Sequence, residues 1–394
     1  MSVANVSGAL DGTLVLDATA SFWASLGTAL LADFGAQVVR LEGLAGAPLD
    51  AASLTSSAHY ELANRNKLSM RVDASRPEGR RILDQLVTRA DVFVTDAPHS
   101  LIEEQRLDYT TLARLRRDLI YARGSGFGPE GPDRDLPALD ELAAARTGMM
   151  PVLPQPGQPP VYSAAGQMYS SVMLAFGVML ALWHRDETGE GQEVDASLFA
   201  GNMYGASLDI QAFLAMGGDR FLRPVSRLDA GNPMSGTLYP TQDGRWVTLT
   251  MPDTDRWWPG LAAITGIDEH DARFDSHEKR CEANRLELIG VLEHAFAQQT
   301  AAHWRAALDE RQLSADVIED YAYPANDAQA MRNEFIIEQN GTKTLGFPIF
   351  MSETPARLRS AAPSIGQHSA QIMSELLGYS AEDVAQLSNQ GIVS

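Results

Sequence analysis

Residues 13–41, TLVLDATASFWASLGTALLADFGAQVVRL, carry the pattern that decides the fold. Thr13–Leu16 is a short β-like run, and Gln37–Leu41 is a second one. Between them, Phe22–Phe34 places apolar side chains three and four residues apart, which is the spacing of one face of an α-helix. Strand, helix and strand in this order predict a βαβ unit, and βαβ units build parallel sheets.

The same alternation continues outward from this unit to about residue 125. Leu68–Val72 is predicted to be a strand, and Ser75 and Pro77 are suited to cap and open the helix that follows it. Val92–Val94 and Leu119–Ala122 are predicted to be two further strands. The first part of the chain is therefore expected to form a mainly parallel sheet covered by helices.

Different signals mark the second half of the chain. Residues 151–160 are proline-rich and predict a linker. Residues 166–183 are predicted to form a helix that is apolar nearly all round, so burial on several sides is expected. Between residues 217 and 236 the composition shifts to Gly, Arg, Pro and Asp, which predicts a domain boundary. The turn Gln242–Gly244 lies between two β-like runs and predicts a hairpin.

Charge and composition disfavour several classes of function. With 31 basic against 51 acidic residues the net charge is −20, which opposes binding to nucleic acid or anionic membranes. The N-terminal segment lacks the features of a signal peptide, and the most apolar stretch, residues 172–183, is too short to span a bilayer. The single cysteine, Cys281, fits a reducing compartment, so a cytoplasmic location is expected. The eight histidines show no metal-ligand spacing, and no metal site is expected.

Six segments of the chain, taken in order, resemble those of the family III (carnitine dehydratase/bile-acid-inducible) coenzyme A transferases. They are LADFGAQVVRLEG (31–43), ANRNKLSMRVDASRPEGRRIL (63–83), LIYARGSGFGPEGPDRDLPALDEL (119–142), TGEGQEVDASLF (188–199), YPTQDGRWVTL (239–249) and APSIGQHS (362–369). Each segment alone is a weak signal. Six segments in the same order as in the family are a specific signal, and the resemblance covers nearly the whole chain.

The resemblance implies a fold, a quaternary structure and a substrate class. It implies an α/β fold with a discontinuous Rossmann-like large domain, a small α/β domain and two interlocked subunits. The large domain would comprise residues 1–216 and 323–394, and the small domain residues 225–322. Coenzyme A would be a substrate, moved between an acyl-CoA and a carboxylic acid.

Catalysis in this family requires an aspartate, and the resemblance places Gln167 at its position. The aspartate carboxylate attacks the thioester of the donor, which gives a mixed anhydride and free CoA thiolate. A glutamine amide is neutral and a poor nucleophile, so this step is not expected at Gln167. Asp140 also matches a family position, but a structural role in capping or pairing is the simpler interpretation. The histidine that related racemases use is absent, since residues 138–140 read Ala-Leu-Asp.

The expected coenzyme A site combines retained and altered residues. Family positions that are retained here are Asn64, Arg65 and Lys67, with Arg40 nearby. Residues 96 and 97, which are usually Asn-Phe, are Asp96 and Ala97 in this chain, and an arginine a little further on aligns with Glu104. The two added carboxylates would oppose a polyanion, so weak binding of coenzyme A is expected.

Three functional hypotheses remain open from the sequence. In the first, the chain is the non-catalytic subunit of a heteromeric CoA transferase and pairs with a homologous catalytic chain. In the second, it is a diverged homologue with lyase or isomerase chemistry on a CoA thioester or another substrate. In the third, it is a homodimeric binding or scaffolding protein without catalysis.

Overall fold

The computed structural model of the chain describes residues 8–44, 58–217, 224–339 and 341–394. The chain divides into two compact units. The first unit comprises residues 1–150, 162–218 and 329–394, and the second comprises residues 151–161 and 219–328. Most of the N-terminal segment considered for a signal peptide, and residues 218–223 of the predicted boundary, lie outside the described residues.

A six-stranded sheet organises the first unit, with all neighbouring strands parallel and the order β3-β2-β1-β4-β5-β6. Its strands are β1 (Leu14–Ala18), β2 (Gln37–Glu42), β3 (Lys67–Arg71), β4 (Val92–Thr95), β5 (Ile120–Ser125) and β6 (Glu193–Ser197). The α/β fold and the parallel sheet predicted from residues 13–41 are therefore confirmed.

Helices lie between these strands and in the other described parts of the chain. In chain order they are α1 (Phe22–Asp33), α2 (Ala58–Asn64), α3 (Pro77–Val87), α4 (His99–Glu104), α5 (Tyr109–Leu112), α6 (Asp140–Ala144), α7 (Met149–Val152), α8 (Ala165–Thr188), α9 (Leu198–Gly205), α10 (Ser207–Met216), α11 (Thr254–Thr265), α12 (Arg285–Phe296), α13 (Ala301–Glu310), α14 (Ala328–Arg332), α15 (Ser369–Gln371) and α16 (Ala381–Asn389). A 3₁₀ turn spans Arg227–Asp229, and π-helical turns span Lys279–Ala283 and Ile372–Leu376.

The second unit contains a small antiparallel sheet of β7 (Ser235–Pro240), β8 (Trp246–Thr250) and β9 (Ala315–Val317). β7 and β8 pair across residues 241–245, which confirms the predicted hairpin. Helices α11, α12 and α13 contribute apolar side chains to the core of this unit. In the first unit, β10 (Ile336–Gln339) and β11 (Thr342–Leu345) form a separate antiparallel pair.

The predicted start of α3 was only partly right. Pro77 is the first residue of the helix, as expected. Ser75 does not cap it, because Arg76 precedes the helix and the Ser75 hydroxyl donates to Asp73 Oδ1 at 2.5 Å. A nearby carboxylate competes with the helix terminus for the serine side chain, and short-range sequence patterns do not rank such competitors.

The expectation that the long apolar helix is buried on several sides is wrong for the described chain. α8 runs over 24 residues, beyond the predicted residues 166–183, and packs one stripe against α1 and the sheet. A second stripe of apolar side chains is exposed: Val172, Phe176, Leu180 and Trp183 are 55, 61, 56 and 73% exposed. The apolar stretch of residues 172–183 was expected to be too short to span a bilayer, but the whole of α8 is long and apolar enough to do so, and 44% of its most apolar window is buried within the chain.

Candidate active site

The strand order reverses between β1 and β4, and ligands of doubly wound sheets bind outside the carboxyl ends of strands at such a point. Asp96 directly follows β4 there. Its two carboxylate oxygens accept hydrogen bonds from the backbone N–H groups of Ala20 and Ser21, both at 2.7 Å. Asp96 therefore holds the loop at the start of α1 with its own negative charge. Burial raises the pKa of this carboxyl group, and the bonds from Ser21 and Ala20 partly offset the rise.

Three of the four basic or amide residues expected to bind coenzyme A form one buried network. Lys67 Nζ lies 2.7 Å from Asp17 Oδ2 and also donates to the Asn64 side chain at 3.1 Å. Arg40 donates to Ser25 Oγ at 2.8 Å and to the same Asn64 oxygen at 3.3 Å. Lys67, Asn64 and Arg40 are 1, 3 and 7% exposed. Lys67 and Arg40 place positive charge beside Asp17 beneath α1, and the Asn64 side-chain oxygen accepts hydrogen bonds from both.

The fourth residue, Arg65, lies outside this network and contacts other residues. Its guanidinium forms an ion pair with Asp33 at 2.8 Å and donates to the carbonyl oxygens of Leu345 and Gly346. The neighbouring Asn66 accepts hydrogen bonds from the backbone of residues 359 and 360. Arg65 and Asn66 therefore anchor the returning C-terminal segment to the N-terminal part of the first unit. Glu104, the other altered position, is exposed at the end of α4.

A cleft of about 200 Å³ opens beside the carboxyl ends of β4 and β5. Its walls come from residues 96–99, 123–126 and 134–138, so they include Asp96 and Ala97. Arg123 Nη1 and His99 Nε2 lie 2.5 Å apart in this wall. Burial and the Arg123 charge lower the pKa of His99, which keeps the imidazole neutral and able to accept from the guanidinium.

Gln167 lies in the first turn of α8, half-buried. No described residue forms a hydrogen bond with its side-chain amide, whereas its carbonyl oxygen accepts from Ser171 Oγ at 2.8 Å. The same hydroxyl oxygen lies 2.7 Å from the carbonyl oxygen of Trp23, so the two carbonyls share its single hydrogen, and the Trp23 ring packs against Gly124 of the cleft wall. Trp23 therefore links the start of α8 to the cleft.

Asp140 lies close to the start of α8. Tyr162 Oη and Asn202 Nδ2 each donate to one of its carboxylate oxygens at 2.7 Å. Asn202 in turn packs directly against Gly166, where an added Cβ would lie 2.0 Å from the amide nitrogen. The carboxylate, the phenol and the amide thus brace the first turn of α8 next to Gln167. Burial and the Asp140 contact raise the pKa of Tyr162 well above its usual range.

We expect Gly166→Ala to lower the free energy of unfolding by about 2 kcal/mol or more, since its methyl group displaces Asn202 and breaks the bond to Asp140. Urea unfolding followed by circular dichroism measures the change. Gly290→Ala is the matched control, because Gly290 lies inside α12 with no atom within 4 Å of an added Cβ. That change should be neutral or slightly stabilising. Equal stability of the Gly166→Ala variant and the parent would contradict the brace.

Sequence reasoning singled out Gln167, Asp140, Asp96 and Ala97, which stay predicted site residues, but it did not single out other side chains around them. Arg123 and His99 of the cleft were not singled out, and neither were Tyr162 and Asn202. Arg123 follows three apolar residues in a strand, and a charged residue at the carboxyl end of a buried strand was a usable signal. Tyr162 and Asn202 reach Asp140 from 22 and 62 residues away, which no local pattern encodes.

The sheet order and the discontinuous first unit define a Rossmann-like α/β protein. The chain belongs to CoA-transferase family III, whose family model matches residues 10–369. It is 27% identical to the (R)-2-hydroxy-4-methylpentanoate CoA-transferase of Clostridioides difficile, over 98% of this chain and 99% of that one. It is also 27% identical to the succinyl-CoA–L-malate CoA-transferase beta subunit of Chloroflexus aurantiacus, over 98% of each chain. A CAIB/BAIF family protein from Brucella suis matches the fold with a TM-score of 0.81 at 25% identity, covering 94% of this chain and 100% of that one.

Proposed function

We propose that this chain is the non-catalytic subunit of a heteromeric CoA transferase that moves coenzyme A between an acyl-CoA and a carboxylic acid. The observation that carries the proposal is Gln167, an amide at the start of α8 where the family resemblance places the aspartate nucleophile. An amide cannot form the mixed anhydride, so a homologous partner chain would supply the carboxylate. The relative from Chloroflexus aurantiacus is itself named a beta subunit.

Weak binding of coenzyme A by this chain alone belongs to the same proposal. Lys67, Arg40 and Arg65 are paired with carboxylates inside the protein, which leaves less positive charge for a polyanionic ligand. Asp96 lines the cleft beside the carboxyl ends of β4 and β5, where its carboxylate would oppose a polyanion. A dissociation constant well above the micromolar range is therefore expected for free coenzyme A. Isothermal titration calorimetry measures it, and a micromolar constant would favour a working site in this chain.

The exposed apolar stripe of α8 is the surface that we assign to the partner subunit. α10 adds to the exposed apolar surface, because Leu208 and Leu214 are 86 and 69% exposed and no residue of this helix is buried in the described chain. An exposed apolar stripe such as that of α8 marks protein interfaces. A homologous chain or a second copy fits, since both would present the matching helix.

Co-expression with a homologous chain that carries aspartate at the position of Gln167 tests the proposed role. We expect the purified complex to transfer coenzyme A and the isolated chain to show no transfer. Changing the partner's aspartate to Asn should abolish the activity of the complex, while Gln167→Ala in this chain should leave most of it. The proposal would be contradicted if Gln167→Ala abolished the activity of the complex and the change of the partner's aspartate to Asn left that activity intact.

Gln167→Asp in this chain separates a missing nucleophile from an altered ligand site. We expect the variant alone to remain inactive as a transferase, because the new carboxylate does not restore the binding of coenzyme A. Gln167→Glu is the control for added charge. Transferase activity in the aspartate variant alone would mean that only the nucleophile was missing.

One observation favours a second candidate, lyase or isomerase chemistry on a CoA thioester. Asp140 and Tyr162 form a hydrogen-bonded carboxylate–phenol pair beside Gln167, and such a pair can take and return a proton. Exchange of the α-hydrogen of an acyl-CoA with deuterium, lost in Asp140→Asn, would support this candidate. Absence of exchange with the folded wild-type protein would exclude it for the thioester used.

A further inference from the structure

Three successive backbone N–H groups before α1 are bonded to carboxylates from the ends of two strands. The N–H of Thr19 donates to Asp17 Oδ1 at 3.0 Å. The N–H groups of Ala20 and Ser21 donate to the two oxygens of Asp96, each at 2.7 Å. One carboxylate, that of Asp96, thus holds two neighbouring amides, which is how a backbone nest holds a phosphate or another oxyanion.

The position of this contact in the fold is one where a ligand would be expected. The strand order reverses between β1 and β4, and α1 begins at the carboxyl end of β1. A helix N-terminus at such a crevice attracts anions through its free amides and its dipole. The first turn of α1 contains no acidic residue, so Asp96 supplies the negative charge there from the end of β4. A side chain of the protein therefore lies where an anion would bind.

Trp23 fills the crevice beside Asp96. It lies in the first turn of α1 and is 3% exposed. A Cβ added at Gly124 of β5 would lie 2.7 Å from the Trp23 ring and 3.3 Å from Asp96 Cβ, so the ring and the carboxylate-bearing side chain meet at this glycine. The indole Nε1 is buried and bonds to no described residue. A buried donor without a partner is uncommon, and this one lies among the groups that close the crevice.

We propose that Asp96 is an internal occupant of an oxyanion site at the start of α1, and that Trp23 closes the same crevice, so that this chain keeps the site shut. The latent ligand is an oxyanion of the phosphate type, because successive amides at a helix N-terminus recognise charge and oxygen atoms. This inference goes beyond the proposed function and does not rest on it. Neither Gln167 nor a partner chain takes part, so each proposal can fail while the other holds.

Equilibrium dialysis of the full Asp96→Ala chain against labelled inorganic phosphate, at constant ionic strength, tests this inference. We expect one phosphate per chain with a dissociation constant on the order of 1 mM. Binding to the wild-type chain should be weaker by about tenfold or more, because its carboxylate holds the amides and repels the anion.

Two control variants separate occupancy from charge. Asp96→Asn removes the charge but fills the same space and keeps an oxygen for the amides, so it should bind phosphate as weakly as the wild-type chain. Glu104→Ala removes the same charge from an exposed residue and leaves Asp96 in place, so it should also match the wild-type chain. Equal binding by Asp96→Asn and Asp96→Ala would show that charge alone excludes the anion and would overturn the assignment of Asp96 as an occupant.

Hydrogen exchange at the amides of Ala20 and Ser21 locates the bound phosphate and shows whether the variant is folded. In Asp96→Ala we expect these amides to exchange faster than in the wild-type chain and to regain protection when phosphate is added. If Asp96→Ala does not fold, Asp96→Ser replaces it, because its side chain is polar but too short to hold both amides. Absence of phosphate binding by the folded variant, or binding without protection of residues 20 and 21, would overturn the proposal.

Discussion

Lys67→Met is expected to lower the free energy of unfolding by about 3 to 5 kcal/mol, which is the typical cost of removing one partner from a buried ion pair. Both Lys67 and Asp17 have side chains with 0% exposure, and their atoms lie 2.7 Å apart. Methionine fills a similar volume without a charge, so the loss would come from Asp17 left uncompensated. Asp17 would keep hydrogen bonds from Thr19 and Thr28, which limit the damage.

The pKa values indicate that both members of the pair are charged at pH 7, so removing Lys67 would leave a charged carboxylate. Burial alone would raise the pKa of Asp17, but the charges of Lys67 and Arg40 outweigh burial and lower it. Burial lowers the pKa of Lys67 to about 8, so both groups are ionised at pH 7. Because the folded-state pKa of Asp17 lies below its unfolded value, the native state binds fewer protons, and this stabilisation is lost as the pH falls below about 4.

Chemical denaturation at pH 7 measures the effect of Lys67→Met. Arg117→Met is the matched control, because Arg117 forms only an exposed ion pair with Glu190 and its loss should change stability by about 0.5 kcal/mol or less. A Lys67→Met variant as stable as the control would show that the pair contributes nothing net. It would also make Lys67 available again as a ligand-binding residue.

Phe176→Asp combined with Leu180→Asp is expected to convert an associated form of the chain into monomers. These residues lie one turn apart in the exposed stripe of α8, and placing two carboxylates in a desolvated apolar interface costs several kcal/mol. At micromolar concentration such a loss is enough to dissociate a dimer of ordinary affinity. Sedimentation velocity measures the change for the chain alone and for its complex with a homologous partner.

Ala381→Asp with Gln386→Asp is the matched control for added charge, since both positions are exposed on α16. This control should retain the association state of the parent. A folded wild-type chain that sediments as a monomer, alone and with a homologous partner, would contradict the assignment of the stripe to an interface. Unchanged association of the α8 variant would place the interface elsewhere.

Local patterns predicted the frame of the fold well. The spacing of apolar residues in residues 13–41 predicted β1, α1 and β2. Strands and helices that pack against each other bury side chains at regular intervals, and these intervals are visible in the sequence. Pro77 marked the start of α3, and the turn at residues 242–244 marked the β7–β8 hairpin. Each of these features depends on contacts between residues close in sequence.

The site was harder to predict because its contacts join distant residues. Arg40, Asn64 and Lys67 were predicted to bind coenzyme A, and this stays a prediction; local patterns did not reveal that they cluster around Asp17, which lies 50 residues before Lys67. Asp96 was expected only to repel a polyanion, but it also holds the start of α1 from 75 residues away. α8 has apolar side chains on both faces, and the sequence alone could not show that the described residues cover only one of them.

The central claim, that this chain forms no acyl anhydride of its own, is tested by incubating it with acyl-CoA donors and trapping with hydroxylamine. Mass spectrometry of the intact chain and of its peptides then locates any carboxylate converted to a hydroxamate. We predict no adduct on this chain, and a stoichiometric adduct on the aspartate of a co-purified homologous partner. A stoichiometric adduct on this chain, at Asp140 or at any other carboxylate, would contradict the claim.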